Sequence, residues 1–192
     1  MTSHLGTRLW LVRHAAPQVA PGTCYGSLDM PADPTATALA ARALADALPH
    51  GASLHTSTLQ RCEQLAQSLQ ALRPDLAPNP DPRLREMDFG AWEGRVWSTI
   101  AKRDIDAWTA AFATHAPGGG ESLAAMLARV ASALAAARQV DSGGQDVVWI
   151  THAGVARCVA WLQLHGEGVM PRSEDWPVAA PGWGEWEIRD LG

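Results

Sequence analysis

Cysteine is scarce in this chain: Cys24, Cys62 and Cys158 are its only three among 192 residues, and no Cys-x-x-Cys pair occurs. An odd number without that spacing excludes a disulfide framework and a structural zinc site, and each thiol reads as a small buried hydrophobe. Long apolar runs are missing too. No stretch approaches the ~18 apolar residues of a membrane span, and the N-terminal MTSHLGTRLW has no apolar segment of signal-peptide length, so a cytoplasmic protein is expected. Nor is there a basic run. With a formal net charge of −5 the chain has no long-range attraction for nucleic acid or acidic membranes, and any anion it binds must be held by a few placed residues.

What is present is an ordinary globular composition, 47% hydrophobic and 18% charged, enough for one well-buried core and short for two. A single domain over 1–192 is expected. Residues 8–13 read as a strand, followed by a Pro/Gly-broken loop and, from the Asp33–Pro34 cap pair, an Ala/Leu helix ending near Leu48. A short strand over 52–55 precedes a helix on which Leu59, Cys62, Leu65, Ala66, Leu69 and Leu72 share one face. Beyond a proline-rich connection with a short edge strand, the pattern predicts helices over 97–113 and 122–138, the apolar strand "QDVVWIT", a further helix opened by Gly154, and a C-terminal edge strand. Strands alternating with helices predict a three-layer α/β/α sandwich around a mostly parallel sheet.

In such sheets ligands bind beyond the carboxyl ends of the strands. The first apolar strand stops at Arg13 and His14, the second runs into Ser57 shortly before Arg61, and the fourth stops at His152. A lone histidine at a strand end is commonly a hydrogen-bonded structural residue. Two of them in the matching settings "LVRHAA" and "WITHAG", with two arginines, describe a pocket for a tetrahedral anion, because guanidinium forks match phosphate oxygens in pairs. A metal held by His14, His152 and an acidic residue is the rival reading, and Arg13 and Arg61 would repel it. His4, His50, His55, His115 and His165 have no such context and read as structural or exposed.

At these residues the sequence resembles the histidine phosphatase superfamily, in the branch containing cofactor-dependent phosphoglycerate mutases and bacterial α-ribazole phosphatases. "LVRHAAP", "STLQRC", "LREMDFGAWEG" and "ITHAGV" match the family's motifs in order across nearly the whole chain. The resemblance implies a phosphoglycerate mutase-like fold, His14 as the nucleophile that becomes phosphohistidine, Arg13, Arg61 and His152 as phosphoryl ligands, and Glu86 as general acid, with no metal or cofactor. A neutral imidazole suits in-line phosphoryl transfer, and repulsion from a bound phosphate favours the protonated Glu86 that the leaving alkoxide needs. Asp88 competes for that role. Ser57 either touches phosphate or caps its helix. Tyr25 and Ser122 lie on segments that border the substrate in the family, and Trp92 is the tryptophan expected to face it. The family's usual glycine is Ala15 here and its usual asparagine is Ala20, departures that bear on substrate preference.

The mutases of the family are longer, with an insertion that encloses the substrate. The modest segment between Glu86 and "GGGES" predicts an open pocket and hydrolysis of a small phosphorylated metabolite. α-Ribazole-5′-phosphate of cobalamin synthesis is the specific substrate that the resemblance suggests. A broad sugar or nucleotide phosphatase, a phosphoglycerate mutase and a non-catalytic phosphoanion-binding protein are the alternatives.

Overall fold

The computed structural model describes residues 7–139 and 145–191; His4 lies outside them. Five strands form one sheet: β1 (Arg8–Arg13), β2 (Ser53–Thr56), β3 (Asn79–Pro80), β4 (Val147–Thr151) and β5 (Trp186–Asp190), in the order β3-β2-β4-β1-β5. Only β5 runs antiparallel, along the edge beside β1. The helices are α1 (Pro34–Ala47), α2 (Gln60–Leu72), α3 (Lys102–Ala110), α4 (Leu123–Gln139) and α5 (Ala153–His165).

Period-two alternation divides the central strands between two cores. Leu9, Leu11, Val147 and Trp149 face α4 and α5, whereas Trp10, Val12, Val148 and Ile150 face α1 and α2. Helices therefore cover both faces of β1 and β4, which is why neither strand shows a polar face within its apolar stretch. Local signals place α1 well. The Asp33 carboxylate accepts the Ala36 N–H (2.7 Å), Pro34 occupies the first turn, and the Leu48 N–H closes on Leu44 O (2.9 Å). None of the described helices is long and apolar enough to cross a membrane.

The predicted helix over 97–113 is corrected. A single 3-10 turn spans Trp97–Thr99 and the chain then extends at Ile100 before α3 begins. Thr99 Oγ1 donates to Val96 O (2.7 Å), and Ile100 drops into a satellite core with Cys24 and Trp92. Burying that side chain outweighs the weak helical preference of the β-branched Thr99 and Ile100.

Candidate active site

Strand register brings the two distant histidines together. Arg13 pairs with Thr151 across β1 and β4, so His14 and His152 leave the sheet side by side, with the His14 N–H bonded to Thr151 O (3.1 Å) and ring centroids 5.1 Å apart. On the other side of β4, the Ser57 N–H donates to Ile150 O (2.9 Å), which brings the end of β2 into the same row.

His14 is buried, and its Nδ1–H donates to Ala15 O (2.7 Å). That bond fixes the tautomer and leaves the Nε2 lone pair to receive the Arg61 Nε–H (3.3 Å). Burial first, and the Arg61 charge second, push the His14 pKa down to about 3, so the ring is neutral near pH 7. The same two causes drive His152 well below the ordinary histidine value. His152 Nε2 lies 2.8 Å from Ser57 Oγ, while its Nδ1 is buried without a partner. Arg13 Nη1 donates to Pro181 O (3.1 Å) and its guanidinium sits over the Trp183 ring, while its Nε is also buried and unpartnered.

Arg61 has no exposed surface, although it lies in the first turn of a helix, where the macrodipole opposes a cation. Two carbonyls offset that cost: Arg61 donates to Gly26 O (2.6 Å) and Leu28 O (2.9 Å). The loop carrying them is held by Glu93, whose carboxylate accepts from the backbone N–H groups of Gly26, Ser27, Leu28 and Phe89. The Gln60 N–H at the start of α2 finds Asp29 (2.8 Å). Ser57 accepts only a long bond from the Leu59 N–H (3.4 Å), so its main contact is His152.

Glu86 reaches the start of α5 from the opposite side. Its Oε2 accepts the Gly154 N–H (3.0 Å) and its Oε1 accepts the Met87 N–H (3.0 Å). A Cβ at Gly154 would collide with this carboxylate, so glycine is what permits the approach. Arg129 fixes the segment below by donating to the carbonyls of Arg83, Arg85 and Glu86 while pairing bidentately with Glu121 (2.7 and 2.8 Å). Asp88 is engaged by Ser27 Oγ and the Gly90 N–H and stays outside the cavity wall.

These groups meet a cavity of about 440 Å³ at the carboxyl ends of β1 and β4. Arg13, His14, Tyr25, Glu86, Gly154 and Arg157 supply its polar lining, and Phe89, Trp97, Trp108, Phe112 and Trp176 its aromatic lining. Arg61, His152 and Ser57 stand behind that surface. Two expectations are corrected. Ser122 is not in the wall: the glycine turn before it packs on the Phe89–Trp92 backbone, and its hydroxyl accepts the Ala125 N–H (3.2 Å) at the start of α4. Trp92 is only 4% exposed, because it fills the satellite core with Cys24 and Ile100. Ala15 lies outside the wall and serves His14 through its carbonyl. Residue-by-residue reading missed Arg157, five residues after His152, and the aromatic wall; only Trp108 and Phe112, one helical turn apart, carried a usable signal.

A mostly parallel α/β sheet with paired arginines and histidines at its strand ends defines a protein built to hold a phosphate-like anion. The family follows from comparison. Residues 9–178 match the model of the histidine phosphatase superfamily, branch 1, and the chain belongs to that family. A mycobacterial glucosyl-3-phosphoglycerate phosphatase superposes with a TM-score of 0.73 at 27% identity, over 95% of this chain and 89% of that one. TTHB049 from Thermus thermophilus gives a TM-score of 0.66 at 31% identity, over 95% and 92% of the two chains. A metal-independent phosphoserine phosphatase of Arabidopsis thaliana is 28% identical over 113 residues, 56% of this chain and 46% of that protein. The chain thus matches less than half of that relative's length.

Proposed function

We propose that this protein is a metal-independent phosphomonoesterase working through a phosphohistidine at His14. The observation that carries the reading is the state of that ring: a buried, neutral imidazole whose Nδ1–H is engaged by Ala15 O and whose Nε2 lone pair lies among cationic donors. In the first step Nε2 attacks phosphorus, the bond to the leaving oxygen breaks, and Glu86 gives that oxygen its proton. In the second, water attacks the phosphohistidine, the P–N bond breaks and Glu86 takes back a proton. Arg13 faces the developing charge on the equatorial oxygens, Arg61 and His152 act on it from behind the cavity surface, and the unpartnered Arg13 Nε and His152 Nδ1 are buried nitrogens that a phosphoryl group would satisfy.

The half-open cavity mouth and the phosphatases among the similar proteins favour hydrolysis over mutase chemistry. Of specific substrates we favour α-ribazole-5′-phosphate, on the motif resemblance. The test is hydrolysis of p-nitrophenyl phosphate with and without EDTA, by wild type and His14→Ala, with an alkaline detergent quench to trap the enzyme-bound phosphate. Chelator-resistant turnover with an acid-labile phosphoenzyme that the variant lacks is expected. Phosphate binding without turnover would indicate a non-catalytic anion-binding protein, and loss of turnover with EDTA would reject the mechanism.

A further inference from the structure

We infer that the leaving group of the physiological phosphomonoester carries a flat aromatic ring, held against the wall formed by Phe89, Trp97, Trp108, Phe112 and Trp176. The inference rests on the phosphatase reading for the position of the phosphoryl group and adds the chemistry of what leaves.

The cavity is chemically divided. Its cations, Arg13 and Arg157, are close enough for the Arg157 charge to act on Arg13, the neighbour of His14, while Arg157 donates to Val178 O. Away from them the wall is a connected run of rings. Phe89 meets Trp97 and Trp108 edge to face (centroids 5.5 and 6.0 Å), Trp108 meets Phe112 at 5.6 Å, and Phe112 meets Trp176 at 6.1 Å. All five are only partly buried, so the wall retains surface for a ligand. Met87, Leu123 and Met126 complete the apolar lining.

Size agrees with this division. A cavity of roughly 150 Å³ holds benzene, and the 440 Å³ here accommodates a phosphoryl group, a short linker and a ring. The lining also disfavours other leaving groups. A phosphorylated amino acid needs an acidic partner for its ammonium, and Glu86, the one carboxylate in the described wall, stands at the phosphate end. An aromatic ring satisfies this surface through edge and face contacts worth a few-fold to about tenfold in affinity beyond area burial.

The test is calorimetric binding of phosphonates, whose P–C bond phosphoryl transfer does not cleave, to the wild-type protein. 3-Phenylpropylphosphonate is compared with 3-cyclohexylpropylphosphonate, of similar bulk, and with 2-carboxyethylphosphonate. We expect the phenyl compound to bind about 2- to 10-fold tighter than the cyclohexyl one and tighter still than the carboxylate. Trp176→Leu, at the outer end of the wall, and Phe112→Leu should each reduce the phenyl-to-cyclohexyl ratio towards one. Equal binding of the two rings, tighter binding of the carboxylate, or variants that weaken all three ligands equally would overturn the inference. Phosphonate binding needs no turnover, so failure of the phosphatase reading would show separately as absence of p-nitrophenyl phosphate hydrolysis while ring preference is still measured.

Discussion

Replacing Gly154 by alanine tests how the smallest residue of the site positions its acid. The new Cβ would occupy space now filled by the Glu86 carboxylate, which accepts the Gly154 N–H, and Met126 closes the other side. The carboxyl group must therefore move. Overpacking costs about 1–3 kcal/mol, whereas alanine in a helix is about 1 kcal/mol better than glycine, so the net change in stability is expected to be at most about 2 kcal/mol. Catalysis should respond more, because a misplacement of roughly 1 Å costs about 10²-fold. The loss should depend on the ester. An alkyl phosphate needs a proton on its leaving oxygen and should lose about 10²-fold in kcat, whereas p-nitrophenolate leaves readily without one and should lose far less. The assay is steady-state kinetics on both esters, with Glu86→Gln as reference and thermal unfolding to verify the fold. Equal losses on the two esters would mean that the substitution disturbs phosphate binding rather than proton donation, and undiminished alkyl phosphate hydrolysis would refute the placement of Glu86 as acid.

Three further predictions concern the interior. The folded state holds His14 and His152 below their unfolded pKa, so the unfolded chain binds more protons between about pH 6.5 and 3 and stability falls as pH falls through that window. Urea unfolding from pH 6 to 4.5 should lose up to about 1.4 kcal/mol per pH unit for each ring, and a His14→Asn variant with an unchanged slope would contradict this. Arg61→Met leaves the buried Gly26 carbonyl unpaired at about 1–3 kcal/mol and removes the bond to Leu28 O, so its urea midpoint should drop clearly; a midpoint within error of wild type would show that the loop does not depend on the guanidinium. Burial pushes the Cys24 and Cys62 thiols up to about 12 and Cys158 higher still, so iodoacetamide at pH 8 should label the unfolded chain and spare the native one. Rapid native labelling would refute that burial.

Much of this molecule was determined locally. Apolar strands ending in Arg13–His14 and Thr151–His152, the Asp33–Pro34 start of α1 and the one-faced Leu59–Leu72 helix all follow from side-chain periodicity and capping, which depend on neighbours a few residues away. The ordered motifs also singled out Glu86 over Asp88, and Glu86 is the carboxylate that lines the cavity. Tertiary structure decided the rest. Pairing Arg13 with Thr151 is what sets the two histidines side by side, and that register joins segments from opposite ends of the chain. Which tryptophan meets the cavity was equally hidden: Trp92 and Trp97 differ little in local context, yet packing against Cys24 and Ile100 buries Trp92, while Trp97 joins the exposed wall. That wall is assembled from Phe89, the 3-10 turn at Trp97, α3 with Phe112 just after it, and Trp176 before β5, and it meets Arg13 and Arg157 only when these pieces pack. Burial patterns along a sequence say that a side chain is inside; they do not say against what, because that is fixed by contacts between residues far apart in the chain.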